Sequence, residues 1–250
     1  MTGISVRRQG DGPEVLLIHG GASPHATWGA LAPLRARWTL ASAHRRGYPP
    51  SPPPVGGRQD FERDAADILP LLGPRPHVVA HSYGVLGTLI AASRRPEDVR
   101  SLTLIEPPLY HLVPGDPEVE HLERIGDAVL TQGLDADPQT LRAFLRMAGA
   151  PRVDDGPLPE GVANGVRRAH GGRVPGEARP ALQAIRAAAI PSLVASGDHT
   201  PGIERICDAL AAPLDAERVR ATGAGHFVAA APGFAERLER FLLAVGRVQR

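Results

Sequence analysis

The hydrophobic pattern of the chain switches between two periods. Short apolar runs, ISVRR, EVLLIHGG, WTLASA, HVVAHS, VRSLTLIE, IPSLVASG and ERVRAT, read as strands, several of them apolar at nearly every position. Between them lie segments with helix-spaced apolar residues: TWGALAPLRAR, DFERDAADILPLL, GVLGTLIAASRR, GIERICDALAA and GFAERLERFLLAVGR. Strand runs alternating with helical ones predict an α/β fold, a mostly parallel sheet of about seven strands with helices on both faces. The stretch from Pro49 to Pro54 cannot be helical and predicts a stiff surface loop.

The alternation stops at Pro107 and Pro108 and resumes at IPSLVASG. Residues 107–189 hold only helix-like pieces: PEVEHLERIGDAVLTQG, PQTLRAFLRMAGA and EARPALQAIRAAA. The chain therefore divides into an α/β core, residues 1–106 and 190–250, and a helical cap inserted at 107–189. It contains no internal repeat.

Five residues, AHSYG from Ala80 to Gly84, stand directly between a buried run and a helix. A serine with small residues two before and two after it makes a nucleophile elbow of the G-x-S-x-G type, here with alanine first. Such a turn lifts the hydroxyl above the sheet and leaves backbone N–H groups at the helix start facing whatever binds. A serine hydroxyl is a poor nucleophile at neutral pH, so Ser82 needs a base and a third group to orient that base. Helix capping is the plain alternative for Ser82.

On LLIHGG, AHSYG and GAGHFV the chain resembles the α/β-hydrolase family over nearly all its length. The resemblance implies that His226 is the general base and that the N–H groups of Gly21 and Tyr83 form the oxyanion hole. In the family the acid commonly sits three residues after the glycine of the VASG segment. Here that position is Thr200, which cannot ionise. Asp198, next to Gly197, could act as the acid or be a turn residue bonding the loop backbone.

Haloalkane dehalogenases and some lactone hydrolases of the fold keep a carboxylate elsewhere, at the end of the strand after the nucleophile helix. LTLIEPP puts Glu106 at that point, on the edge of the sheet where such folds bind ligands. Glu106 is therefore the preferred acid and Asp198 the alternative. The loop HRRGYPPS departs from the family's Asp-x-x-Gly-x-Gly-x-Ser pattern at His44 and Pro49, which weakens any transfer of subfamily specificity. The family's usual first strand is missing.

Charge adds exclusions. With 28 basic and 27 acidic residues, net charge +1, the chain offers no footing for nucleic acid or an anionic membrane as partner. It has no lysine, so every basic residue is arginine. The single cysteine, Cys207, rules out an internal disulfide or cysteine metal cluster and reads as a core thiol. His19 and His81 read as structural. His25, His44, His77, His111, His121, His170 and His199 lack metal-ligand spacing, so neither metal nor other cofactor is expected. No apolar run approaches the roughly 20 residues needed to span a bilayer, nor does the start resemble a signal peptide. A soluble, cytoplasmic protein is expected, with a homodimer left open.

Serine at the elbow decides against the aspartyl-ester chemistry of dehalogenases and epoxide hydrolases. The resemblance then implies a serine hydrolase of the esterase or lactonase type, acting on a small, moderately apolar molecule through an acyl-serine. Acyl transfer, cofactor-free perhydrolysis or carbon–carbon hydrolysis would use the same residues. A ligand-binding member without catalysis is the alternative of a different class. The cap would form most of the pocket. Trp28 is a candidate substrate-binding residue that could equally pack under the sheet, and Leu109, Tyr110, Leu112, Phe144, Met147 and Val162 are candidates that could equally be cap core. An aromatic share of only 4% favours an aliphatic pocket. Arg167 and Arg168 read as a solvated face.

Overall fold

Successive side chains of a strand point to opposite faces, so one strand can feed two cores. In β2 (Glu14–Ile18), Leu16 and Ile18 enter one apolar cluster while Val15 and Leu17 enter another. Together with β1 (Val6–Gln9), β3 (Thr39–Ala43), β4 (His77–His81), β5 (Ser101–Ile105), β6 (Ser192–Ser196) and β7 (Glu217–Arg220), it forms a seven-stranded sheet. The strand order is β1-β3-β2-β4-β5-β6-β7, with only the β1–β3 pairing antiparallel. Each strand falls on a run predicted from the hydrophobic pattern. The computed structural model describes residues 3–151, 153 and 156–248. The outer ends assigned to the core, and positions 152, 154 and 155 of the predicted cap, lie outside the described residues.

The central strands β4, β5 and β6 are buried at every position, as expected where helices cover both faces. The edges read differently: β1 is VRRQ and β7 is ERVR, each with exposed charged residues. Helices α1 (Pro24–Trp28) and α9 (Phe234–Val248) cover one face. Helices α2 (Phe61–Ile68), α3 (Gly84–Arg94) and α8 (Pro201–Leu214) cover the other. Helix α3 is buried from Gly84 to Ala92, which explains why its apolar residues run all round it.

Between β5 and β6 run α4 (Pro117–Gln132), α5 (Pro138–Met147), α6 (Glu160–Ala169) and α7 (Leu182–Ala187). Asp116 and Asp137 cap α4 and α5, accepting first-turn N–H bonds, and a proline opens each helix where its missing N–H costs nothing. Val129, Leu141, Leu145, Val153 and Val166 make a small core of their own among α4, α5 and α6. Helix α7 instead packs with α3 and α8, and Ile185 belongs to the main core. Helix α6 was not among the predicted pieces, because Gly161, Asn164 and Gly165 dilute its helix signal. Among the described residues no helix is long and apolar enough to cross a membrane.

Candidate active site

Three neighbouring strands end together. In the pairing register His81 lies beside Ile105, and Ile105 beside Ala195, so the residues that follow leave the sheet side by side. Ser82 N–H donates to Ile105 O (2.8 Å), and Glu106 N–H to Ala195 O (3.0 Å). Both residues then turn sharply, with φ of 52° at Ser82 and 53° at Glu106, a left-handed conformation that side chains normally avoid. At Gly84 the elbow backs onto the neighbouring loop so closely that a Cβ would lie 2.3 Å from His19 O. That contact is the physical reason for a small residue two positions after the serine.

Glu106 is 1% exposed, and its carboxylate is held on both oxygens. Gly197 N–H donates to Oε1 (2.7 Å) and His226 Nδ1–H to Oε2 (3.2 Å). A Cβ at Gly197 would lie 1.8 Å from Gly225 O, so only glycine lets the loop after β6 press against the His226 loop. His81 Nε2–H donates to His226 O (2.8 Å), and the two rings stand 4.5 Å apart. This seats the His226 loop against the residue that precedes Ser82. Burial pushes the His226 imidazole down to about 3, with His199 adding to the shift, and so holds it neutral at ordinary pH. Burial raises the Glu106 carboxyl to about 7, against the opposing pull of His199 and the Gly197 N–H.

Asp198 is turned away from this cluster. It is exposed, and its Oδ2 accepts a bond from Thr222 Oγ1 (2.9 Å). Thr200 is the residue just before α8. The structure therefore brings His226 to Glu106 and leaves Asp198 in a loop bond.

Gly21 stands in an exposed loop whose backbone is tied at successive carbonyls. Gly20 O accepts from Arg45 Nη1 (2.9 Å) and His19 Nδ1 (3.0 Å), and Gly21 O accepts from Tyr48 Oη (2.8 Å). Because a trans peptide is planar, fixing Gly20 O also fixes the direction of the Gly21 N–H. Tyr83 opens α3, where first-turn N–H groups have no partner within the helix.

Sequence reasoning missed Arg45 and underrated His199. Arg45 has no motif around it, yet its guanidinium, 2% exposed, bonds Asp64 Oδ2 twice (2.7 and 3.0 Å) as well as Gln59 Oε1 (2.8 Å). Burial pushes the Asp64 carboxyl up, and Arg45 pulls it back. Arg45→Leu is expected to cost about 3–5 kcal/mol in urea unfolding, since it strands a buried carboxyl, and Arg45→Leu/Asp64→Leu should recover part of the loss.

His199 Nε2 lies 3.2 Å from Met147 O and 3.8 Å from Glu106 Oε2. Glu106, His199 and His226 present three ligand-type atoms within 4.8 Å of one another, so a metal ion there would occupy the atoms that join His226 to its acid.

The candidate substrate-binding residues scatter. Trp28 is 4% exposed and packs with Leu31, Val79 and Val228 in the core beneath α1 and α9. Leu109 is fully buried in the opposite core. Tyr110 walls a cleft of about 430 Å³ with His111, Glu120, Glu123 and Arg179, and neither Ser82 nor His226 lines it. The segment between β5 and β6 meets the core near Ser82 through other groups: Tyr83 Oη donates to Arg173 O (2.9 Å), and His199 reaches Met147 O.

Comparison with known proteins agrees with this architecture. Residues 15–237 match the profile of the Alpha/beta hydrolase family. A pimeloyl-[acyl-carrier protein] methyl ester esterase of Methylococcus capsulatus is 34% identical over 189 residues, 73% of this chain and 69% of that protein. Among solved structures, a bacterial membrane phospholipase A superposes with a TM-score of 0.72 at 23% identity, covering 97% of this chain and 83% of that one. A carboxylesterase structure from Nitrososphaera gargenis gives 0.68 at 17% identity, covering 98% and 95%.

Proposed function

Because the chain belongs to the alpha/beta hydrolase family, with an esterase among its relatives, we propose that it is a serine hydrolase of carboxylic esters. The observation that carries this reading is the Glu106–His226 pair, bonded at 3.2 Å beside the strained Ser82 elbow. His226 Nε2 takes the Ser82 proton while Nδ1–H stays bonded to Glu106, and Ser82 Oγ attacks the acyl carbon. The oxyanion that forms is met by the N–H groups of Gly21 and Tyr83. Collapse expels the alcohol, to which His226 returns the proton. Water, deprotonated by His226, then frees the acid and regenerates Ser82.

The substrate in this reading is small and moderately apolar, covered by a lid made from α4, α5 and α6. A lactone would follow the same steps without losing a fragment. The esterase relative supports an open ester first. A fluorophosphonate probe tests the mechanism. Stoichiometric labelling at Ser82 is expected, and an unlabelled serine in the folded protein would overturn the proposal. A panel of short-chain esters and lactones then reads the preferred acyl bond.

A further inference from the structure

The loop after β6 grips the Glu106 carboxylate from two sides. Gly197 N–H holds Oε1, and His199 stands next to Oε2, the oxygen that also serves His226. His199 Nδ1 is buried without a partner, so the neutral ring carries its proton on Nε2, where acceptors stand. Two acceptors compete for that N–H: Met147 O at 3.2 Å and Glu106 Oε2 at 3.8 Å. Met147 is the last residue of α5, so the nearer acceptor belongs to the lid. Gly149, just beyond it, lies so close to the His226 loop that a Cβ would sit 3.0 Å from the Phe227 ring. Movement of α5 would withdraw Met147 O and leave Oε2 as the neighbouring acceptor.

We propose that His199 is a positioning residue for Glu106 that couples the seating of the lid to the triad: with α5 in place its N–H is engaged by Met147 O, and Oε2 is left to His226. This rests on the reading of Glu106 as the triad acid. His199 faces Glu106 and His226, while Glu204 and Arg218 act on Glu106 from behind, and Asp198 is bonded to Thr222. When it is protonated, His199 disfavours protonation of both Glu106 and His226, so its removal moves the acidic limb of the pH profile upward.

The test measures kcat and KM on p-nitrophenyl acetate across pH for wild type, His199→Leu, His199→Gln and Glu106→Gln, with active sites counted by fluorophosphonate titration. His199→Leu is expected to lower kcat per site about tenfold with KM nearly unchanged, the scale of a small misalignment. His199→Gln keeps an N–H for Met147 O and should recover most of that loss. Both should shift the acidic limb to higher pH. Wild-type kcat and an unmoved limb in His199→Leu would overturn the proposal, as would equal losses in the two variants. If Glu106→Gln stays active, the triad reading itself has failed. If Glu106→Gln collapses while both His199 variants behave as wild type, only the role of His199 falls.

Discussion

Ser82→Ala is expected to lower turnover of an activated ester by about 10⁶-fold and to abolish fluorophosphonate labelling. The proposed mechanism has no second nucleophile to fall back on: the one cysteine, Cys207, is fully buried beneath β6, and burial pushes its thiol well up. The fold should survive the change. The backbone bond from residue 82 to Ile105 O remains, and alanine removes only an oxygen at the half-buried tip of the elbow. Urea unfolding of Ser82→Ala within about 1 kcal/mol of wild type would separate lost chemistry from lost structure. Substantial turnover by a folded Ser82→Ala would mean that the reaction does not pass through an acyl-serine.

The second large effect distinguishes the two carboxylates. Glu106→Gln should reduce kcat by about 10⁴-fold, the scale of an acid removed from a serine triad. The reason is a tautomer. One side-chain atom must still accept from Gly197 N–H, so the glutamine oxygen stays on that side and its NH₂ turns toward His226. An imidazole that accepts at Nδ1 carries its proton on Nε2, and so cannot take one from Ser82. Asp198→Asn keeps an oxygen for Thr222 Oγ1 and should stay near wild-type rate. Stopped assays of the two variants at equal protein concentration decide the matter, and collapse of Asp198→Asn instead would return the acid to the loop after β6.

What could be read in the sequence follows from how local each signal is. The central strands β4, β5 and β6 were legible because burial on both faces forces a run of apolar residues that survives without its neighbours. Ser82 was legible because a strand, a turn and a helix must coincide within five residues. Glu106 could be singled out because a charge ending LTLI and followed by two prolines is hard to explain as a surface residue. Helix α6 lacked such a signal, being held by the small core it shares with α4 and α5 rather than by its own propensity. Arg45 and His199 were obscure for another reason. Their partners, Asp64 with Gly20 O and Met147 O with Glu106, are remote in sequence, and only folding brings them together. Leu109 carries the opposite lesson: three residues after Glu106 in sequence, it is fully buried in the core under α2, α3 and α8.

The polar edge strands have a consequence for assembly. On β1, Arg8 is paired with Glu14, and on β7 Arg218 and Arg220 are paired with Asp208 (2.8 Å in each case). Sheet growth by lateral addition of another strand would bring these charges under a neighbour and cost their contact with water, which is how natural sheets resist sticking edge to edge. These paired charges therefore disfavour joining two sheets through β1 or β7.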